Sequence, residues 1–454
     1  MLQTPLSIMQ ALDRFDSVPY DRESIPQQQL DLANRLRTSL FPWHGQFSPE
    51  LVELLLRRYA VQGSRATVVH DPFVGSGTTL FECARQGLTC YAAEINPAAV
   101  LMSSTAHFVN VPRTEREACI RCAEAIARTH IEPLVYDLFT YQSHATPPSY
   151  RAGPSMEETL ASMLQEATVD PLVYNLLANA VLRYVGREHK DGVQEFQRAF
   201  REHVIIVETL PYSDRPCRVY HADAREIPLP DASVDLIITS PPYINVFNYH
   251  QNSRPAMEMM GWDMLHVARS EIGSNRKNRQ NRFLTVVQYA LDMLGVLRGM
   301  RRLLRPFGRA VIIVGRESRV RGVSFENGRL VAALATGGAG FSLISKQERK
   351  FRSKFGEIIY EDILHLVPEA AGVCQSEGYA RSVAELVLSE AATTAVGPVR
   401  GEILDAAGRV GFVEKSPLFR LPEGRTVLGA VRSSTGRLRA LGGDAGCGLS
   451  NTTP

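Results

Sequence analysis

A glycine-rich segment near the start of the chain has the residue types of a ligand-binding turn. It reads DPFVGSGTT from Asp71 to Thr79, directly after an apolar run that predicts a buried strand. Gly75 and Gly77 can adopt backbone conformations that other residues resist, and a following helix presents free N–H groups to a ligand. Glu94 lies nineteen positions after Gly75, where nucleotide-binding α/β folds place an acid on ribose hydroxyls. On these residues alone, a structural turn and a solvated acid explain the pattern as well as a binding site does.

A second segment ends an apolar strand with two prolines and an aromatic residue. It reads DLIITSPPY from Asp235 to Tyr243. Consecutive prolines cannot continue a central strand, so we expect the strand to end at Ser240. Pro241 and Pro242 then fix the directions of the backbone carbonyls ahead of the tyrosine. Fixed acceptors beside a flat ring suit a planar base with an exocyclic amino group, and a plain strand-terminating turn is the alternative.

The elements around these segments predict an α/β protein. Between residues 66 and 95 a strand, the glycine-rich turn, a helix and a second strand form a βαβ unit, which favours a parallel sheet with a right-handed crossover. Later apolar periodicities predict further strands, a long helix and a terminal antiparallel hairpin. These elements are strands at 218–224, 234–240 and 309–314, a helix at 283–304, hairpin strands at 341–351 and 357–367, and a helix at 379–392.

In this order the two segments resemble motifs of the S-adenosylmethionine-dependent DNA amino-methyltransferases, which methylate cytosine N4 or adenine N6. DPFVGSGTT looks like their cofactor motif, and TSPPY looks like their catalytic (S/D/N)-P-P-Y motif. FPWHGQFSP at 41–49 is similar to the segment that helps to enclose the methionine end of the cofactor. HADA at 221–224 resembles the third-strand end, whose acid contacts the cofactor adenine.

The resemblance implies a fold and a division of the chain. The fold is a Rossmann-like methyltransferase with a mostly parallel seven-stranded sheet, an antiparallel terminal hairpin and a helical insertion. Outside the catalytic domain, the sequence predicts an irregular lead-in at 1–40, a C-terminal helical segment at 369–429 and a disordered tail at 430–454. The helical insertion at 105–204 is one candidate for target recognition. The catalytic domain takes the remaining residues, 41–104 and 205–368.

The resemblance also assigns residues to a site for S-adenosyl-L-methionine. Glu94 would hold the ribose hydroxyls and Asp223 the adenine amino group. The implied cofactor-binding residues are Phe47, Asp71, Pro72, Phe73, Gly75, Ser76, Gly77, Thr78, Glu94, Asn96, Asp223 and Ala224. The implied catalytic residues are Ser240, Pro241, Pro242 and Tyr243.

The catalytic residue types fit amino methylation. The amino nitrogen of a base is a poor nucleophile because its lone pair is delocalised into the ring. Accepting its hydrogens at Ser240 Oγ and the Pro241 carbonyl would localise that pair and orient it on the methyl group. Tyr243 would stack on the base, which is worth roughly 1–3 kcal/mol. A paired base cannot reach such a pocket, so either a base flipped out of double-stranded DNA, which is the predicted partner, or a single-stranded substrate is implied.

The target base and the substrate class stay open at this point. Serine at position 240 favours cytosine N4, although serine variants also occur among adenine N6 enzymes. The alternatives are an adenine N6 DNA methyltransferase, an RNA base amino-methyltransferase, and a non-catalytic subunit that binds the cofactor or DNA. We see no recognisable RNA-binding module in the sequence, and the intact motif residues favour an enzyme.

Charge limits where nucleic acid could bind. Fifty basic and 48 acidic residues among 454 leave a formal net charge of +2, which excludes a polybasic architectural protein. DNA contacts must therefore come from a local basic surface. The run RKNRQNR has four cations and no acid, which suits contacts with phosphates and base edges, although a solvated loop would look the same. Its cations are Arg276, Lys277, Arg279 and Arg282.

Location and partners follow from the remaining composition. We see no signal-peptide pattern or membrane-length apolar run, and seven cysteines are an odd number, so we expect a cytoplasmic protein of prokaryotic or phage origin. Cys119 and Cys122 are spaced like zinc ligands, but no second pair follows, and we predict no metal. The predicted partners are DNA and a cognate restriction endonuclease, with no membrane association.

Overall fold

The computed structural model describes most of the chain outside its C-terminal tail. The described residues are 5–31, 37–43, 45, 47–60, 67–140, 155–187, 192–244, 249–251, 253–273, 280–352, 356–370, 374–423 and 427, without the side chains of 5–7 and 134–140. Two predictions lie outside these residues. They are the disordered tail at 430–454 and the placement of Arg276, Lys277 and Arg279.

Seven of the described strands form one sheet in the order β3-β2-β1-β4-β5-β9-β8. Neighbours among the first five are parallel, β9 is antiparallel to β5, and β8 is antiparallel to β9. This arrangement confirms the predicted Rossmann-like sheet with an antiparallel terminal hairpin. The strands are β1 (Val68–Asp71), β2 (Thr89–Glu94), β3 (Cys217–His221), β4 (Val234–Thr239), β5 (Leu304–Gly315), β6 (Glu317–Val320), β7 (Val323–Glu326), β8 (Phe341–Arg352) and β9 (Ile358–Pro368), of which β6 and β7 form a separate hairpin.

The helices lie between and around these strands. The α-helices are α1 (Pro5–Ser17), α2 (Gln27–Asp31), α3 (Pro49–Tyr59), α4 (Thr78–Arg85), α5 (Pro97–Ser103), α6 (Arg113–Thr140), α7 (Met156–Ala167), α8 (Pro171–Val185), α9 (Gly192–Thr209), α10 (Arg254–Met259), α11 (Met264–Ser270), α12 (Leu284–Leu303), α13 (Asn327–Ala333), α14 (Glu377–Thr394) and α15 (Gly397–Gly408). Short 3-10 turns cover Ser104–Asn110, Tyr249–Gln251 and Val410–Phe412, and a π-helical turn covers Leu334–Gly338. None of the helices in the described residues is long and apolar enough to cross a membrane.

Burial on both faces explains the composition of the central strands. In β4, Leu236 and Ile238 belong to the hydrophobic core on one side of the sheet, and Ile237 belongs to the core on the other side. A strand buried on both faces must be apolar at successive positions, which is why the run DLIIT lacks polar alternation. The carboxyl ends of β1 and β4 therefore lie side by side at the same end of the sheet, whose two faces are shielded from water.

The segment before residue 41, where we predicted an irregular lead-in, contains two helices, α1 and α2. Ile8, Leu12 and Phe15 are buried on one side of α1, which packs against α13. The buried Lys346 of β8 donates to the Phe15 carbonyl and lies over the Phe15 ring. Tertiary contacts therefore stabilise a helix that is too short to be marked strongly by its own sequence.

Two strand boundaries also differ from the prediction. β5 begins at Leu304 rather than at 309, and its start is irregular because the register with β4 shifts there. Pro306 and Phe307 are exposed at this start, so both residues fit into the strand without entering the core. β3 ends at His221, and the residues up to 224 form a turn instead of more strand.

The predicted insertion is helical and consists of α6 to α9. Asn175 and Asn179 of α8 are buried, and both side-chain amides donate to the Leu101 carbonyl of α5 at 2.9 and 3.1 Å. Apolar residues of the insertion belong to the same core cluster as β1 and α4. The insertion is thus packed on the half of the sheet that carries the glycine-rich turn.

Candidate functional site

The glycine-rich turn has the strained backbone that its glycines permit. Gly75 and Gly77 have φ values of +51° and +100°, in the left-handed region that favours glycine. A Cβ atom at Gly77 would also lie 2.8 Å from the Phe81 ring. The turn therefore brings its backbone close to the carboxyl end of β2 and leads directly into α4.

Asp71 links this turn to β4 through hydrogen bonds. Its carboxylate accepts hydrogen bonds from Thr79 Oγ1 at 2.6 Å and Thr239 Oγ1 at 2.7 Å, and from the Phe73 N–H at 3.0 Å. Burial raises the pKa of Asp71 to about 6, and these hydrogen bonds limit the rise. Because Thr239 is the last residue of β4, Asp71 joins the two predicted motifs directly.

Glu94 lies at the end of β2 and faces the turn. It accepts hydrogen bonds from the N–H groups of Gly75 at 3.1 Å and of Ile95 and Asn96 at 2.9 Å each. Burial raises the pKa of Glu94 to about 7. A carboxylate has about four acceptor positions, so the three N–H groups leave Glu94 room for one further donor.

Asn96 has an unused donor beside this carboxylate. Its side-chain oxygen caps α5 by accepting from the Ala98 N–H at 3.0 Å. Its Nδ2 group is buried and has no hydrogen-bond partner among the described residues. A buried polar group without a partner is costly, and a bound polar ligand would satisfy it.

A cleft of about 880 Å³, including its open mouth, lies against the turn and the ends of β2 and β3. Trp43 lies over Gly75, where a Cβ atom would be 3.0 Å from the indole ring, and stacks on Tyr249 with ring centroids 6.2 Å apart. The sequence-predicted residues that line the cleft are Phe47, Pro72, Phe73, Gly75, Ser76, Thr78, Glu94, Asn96, Asp223 and Ala224. Asp71 and Gly77 are not among the residues that line it.

Part of the cleft wall was not predicted. Ser270, Glu271 and Ile272 line it, and Glu271 binds the buried His250 through Nδ1 at 2.9 Å. These residues lie at the end of α11 and just after it, in a region whose sequence has no motif, so only the packing places them there. Tyr249, the neighbour of His250, also lines the cleft and lies ten residues after the end of β4.

The carboxylate side chains that line the cleft give it an acidic character. Its lining includes Glu94, Asp223 and Glu271, and the described residues that line it include no Lys or Arg. A phosphate or pyrophosphate group needs cations or several free N–H groups around it. The lining is better suited to a ligand that is neutral or positively charged.

The Asp223 carboxylate accepts four hydrogen bonds from other residues of the protein. Its carboxylate accepts from the N–H, Nε and Nη2 of Arg225 at 3.0, 2.8 and 2.6 Å, and from the Phe419 N–H at 2.9 Å. Arg225 also binds the buried Asp292 at 2.8 Å. These contacts occupy the usual acceptor positions of the Asp223 carboxylate, and its contact with a cofactor adenine stays a prediction.

The SPPY segment begins at the edge of the sheet where β1 and β4 end. Pro242 lines the cleft, and the ring of Tyr243 packs on Gly315, where a Cβ atom would lie 2.8 Å from its Cε2 atom. Tyr243 Oη lies 3.4 Å from Ser240 Oγ. The structure therefore brings the predicted catalytic residues beside the predicted cofactor cleft.

The remaining predicted sites are only partly described. Arg282 is exposed just before α12. Cys119 and Cys122 lie in α6, and no group of three or more His, Cys, Asp or Glu side chains within the described ranges could hold a metal ion.

The chain has a short sequence match and distant structural similarity to known proteins. No protein-family model matches the chain. The type II methyltransferase M.MjaII of Methanocaldococcus jannaschii is 38% identical over 64 residues, which are 14% of this chain and 12% of that relative. The chain therefore matches only a small part of the relative's length.

Solved structures with a similar arrangement are distant. An S-adenosylmethionine-dependent methyltransferase from Methanosarcina mazei is 11% identical, with 69% of this chain and 97% of that chain covered and a TM-score of 0.30. The rRNA methyltransferase AviRa from Streptomyces viridochromogenes is 13% identical, with 77% and 96% covered and a TM-score of 0.29.

Proposed function

We propose that this protein is an S-adenosylmethionine-dependent DNA methyltransferase that modifies an exocyclic amino nitrogen, with cytosine N4 as the first choice of target. The observation that carries the proposal is the hydrogen bond between Asp71 and Thr239, which joins the cofactor-type turn to the SPPY strand. The short stretch of similarity to a type II methyltransferase agrees with it.

The cleft fits this cofactor in its chemistry. Glu94 has a remaining acceptor position for a ribose hydroxyl, and Asn96 Nδ2 is a buried donor without a described partner. S-adenosylmethionine contains no phosphate and has a cationic sulfonium, which suits an acidic cleft with Trp43 and Tyr249 at its wall. Bound there, it would supply an electrophilic methyl group.

The protein's own groups would activate the amino nitrogen. Ser240 Oγ and the Pro241 carbonyl would accept its hydrogens and hold its lone pair towards the cleft. Tyr243 would stack on the extruded base, since its ring is held by Gly315 at the end of β5. In this arrangement no side chain has to become a nucleophile.

We assign double-stranded DNA as the substrate and the basic run at 276–282 as its contact surface. The helical insertion is not notably basic, so the run is the better candidate for phosphate contacts. A cognate restriction endonuclease that cuts the same sequence would be the functional partner of such a modification enzyme.

Methyl transfer from labelled S-adenosylmethionine tests this function in vitro. The purified protein is incubated with unmethylated double-stranded DNA, single-stranded DNA or RNA, next to its Ser240→Ala variant and an exposed control, Ser17→Ala. We expect transfer to DNA that Ser240→Ala lowers by roughly 100-fold or more and Ser17→Ala leaves unchanged. Transfer to RNA alone, or cofactor binding without transfer to any nucleic acid, would overturn the proposed function.

A further inference from the structure

Three oxygen-bearing side chains form a continuous path away from the catalytic segment. Ser240 Oγ lies 3.4 Å from Tyr243 Oη, and Tyr243 Oη donates to Glu361 Oε1 at 3.4 Å. Ser240 and Tyr243 are separated from Glu361 by more than a hundred residues, so only the fold creates this path. Each hydroxyl can donate to the next group, and the path ends at a carboxylate.

The sheet holds Glu361 in this position. Glu361 lies on β9, where it is paired with Gly315 of β5 on one side and Arg349 of β8 on the other. Arg349 Nη1 binds the second carboxylate oxygen of Glu361 at 3.1 Å, and its guanidinium lies 4.9 Å from the centre of the Phe351 ring. One oxygen of Glu361 is thus fixed by a buried guanidinium while the other faces Tyr243.

Amino methylation requires an exit for one proton. The new N–C bond forms as the S–C bond breaks, and the positive charge moves from sulfur to the base nitrogen. That nitrogen must then lose a proton to become the neutral methylated amine. A base held by Ser240 Oγ places this hydroxyl against the nitrogen, so a route for the proton through the protein begins at Ser240.

We propose that Glu361 is the final acceptor of this proton, which reaches it through Ser240 and Tyr243. The nitrogen passes its proton to Ser240 Oγ, the serine hydroxyl proton moves to Tyr243 Oη, and the phenol proton moves to Glu361 Oε1. Ser240 and Tyr243 are unchanged at the end, and Glu361 becomes a neutral carboxylic acid. This inference rests on the proposed function.

The properties of Tyr243 and Glu361 suit such a relay. Burial raises the pKa of Tyr243 well above its ordinary value, so the phenol stays protonated and can only pass a proton on. Glu361 needs no raised basicity, because a protonated aromatic amine is a strong acid. The Glu361 side chain is 13% exposed, so the proton can later leave to water.

Glu361 acts through Tyr243, so its test must separate proton transfer from structural support. We would measure single-turnover methyl transfer and the dissociation constants for S-adenosylmethionine and DNA in Glu361→Gln. Glu348→Gln is the matched control, because Glu348 lies on the same hairpin, where it binds Arg316 and Arg22 instead. We expect Glu361→Gln to lower the rate about 100-fold with unchanged dissociation constants, and Glu348→Gln to stay within twofold.

Two further variants keep the test decisive if Glu361→Gln destabilises the protein. Tyr243→Phe removes the hydroxyl but leaves the Glu361–Arg349 pair, and it should lose as much rate as the double variant Tyr243→Phe/Glu361→Gln. Added formate should restore part of the rate of Glu361→Ala by replacing the missing carboxylate, whereas chloride should not.

Equal rates for Glu361→Gln and Glu348→Gln would overturn the relay, and so would rate losses that multiply in the double variant. These results would leave the proposed function intact if the wild-type protein still methylates DNA. Failure of the wild-type protein to methylate any nucleic acid would overturn the proposed function and the relay together.

Discussion

Glu94 is the residue whose ionisation should control cofactor binding. Burial raises its pKa to about 7, so Glu94 is mostly protonated at pH 6 and mostly ionised at pH 8. The ionised carboxylate is the better acceptor for a ribose hydroxyl. We therefore predict that adenosine, which has no group titrating in this range, binds about tenfold more tightly at pH 8 than at pH 6.

Isothermal titration calorimetry with adenosine checks this prediction. Glu94→Gln should bind adenosine weakly at both pH values, because the amide cannot ionise. Equal wild-type affinities at pH 6 and pH 8, or the same pH dependence in Glu94→Gln, would contradict the ribose role of this residue.

We predict that the residue at position 315 affects the rate of methyl transfer but not the affinity for S-adenosylmethionine. A Cβ atom at this position would lie 2.8 Å from the Tyr243 ring, so Gly315→Ala must displace the ring. Since misplacement by about 1 Å can cost roughly 100-fold in rate, we expect a large loss of methyl transfer with normal S-adenosylmethionine affinity. Gly401→Ala, which meets open space in α15, serves as the control. A fully active Gly315→Ala would show that the position of Tyr243 does not limit the rate.

At the scale of elements, one ion network fixes the C-terminal segment of residues 413–419 to the turn after β3 and to α12. Arg225 binds Asp223 and Asp292, and it also donates to the carbonyls of Ser416 and Pro417. Arg225→Met would leave two buried carboxylates without their cation. We predict a loss of about 3–5 kcal/mol in the free energy of unfolding.

Urea unfolding measures this loss directly. Arg254→Met is the matched control, because Arg254 and Glu258 form a partly exposed pair on one helix, which should contribute less than about 1 kcal/mol. If the two variants lost equal stability, the network could not be the main attachment of the segment.

The sequence predicted those elements whose signals are local. Apolar runs with glycine or proline boundaries mark β1, the turn after it and β4, and the sheet confirms the order of these strands. Contacts between residues far apart in the sequence could not be predicted from it. Phe419 stacks on His221 with ring centroids 4.8 Å apart, although nothing near residue 419 marks it as part of this region.

The site shows the same division between local and distant information. That the glycine-rich turn and Glu94 lie close together could be predicted, because both belong to one βαβ unit. Glu271 and Glu361 could not, since each reaches the site from an element without a motif. The helix at the N-terminus was also missed, because contacts with α13 and β8 stabilise it.

For the whole molecule, a net charge of +2 means that DNA affinity must be concentrated in one region. Replacing the four cations of the run at 276–282 with Gln should weaken DNA binding and its dependence on salt. Each lost phosphate contact lowers the slope of log K against log salt by about 0.9. The cations to be replaced are Arg276, Lys277, Arg279 and Arg282.

Fluorescence anisotropy with a labelled duplex at several salt concentrations measures the slope. A second variant replaces four exposed arginines outside the run and outside the helical insertion with Gln, so that its net charge is the same. These are Arg22, Arg57, Arg409 and Arg420. Equal slopes for the two variants would mean that the run is no specific contact surface.

The most direct test of the whole account is nucleoside mass spectrometry on DNA from a methylation-deficient host that expresses this protein. A parallel culture expresses Tyr243→Ala. We predict N4-methylcytosine in the first culture and none in the second, while N6-methyladenine would keep the mechanism and change the base. DNA without any methylated base, from cells that contain the folded protein, would contradict the central claim that this chain is a DNA amino-methyltransferase.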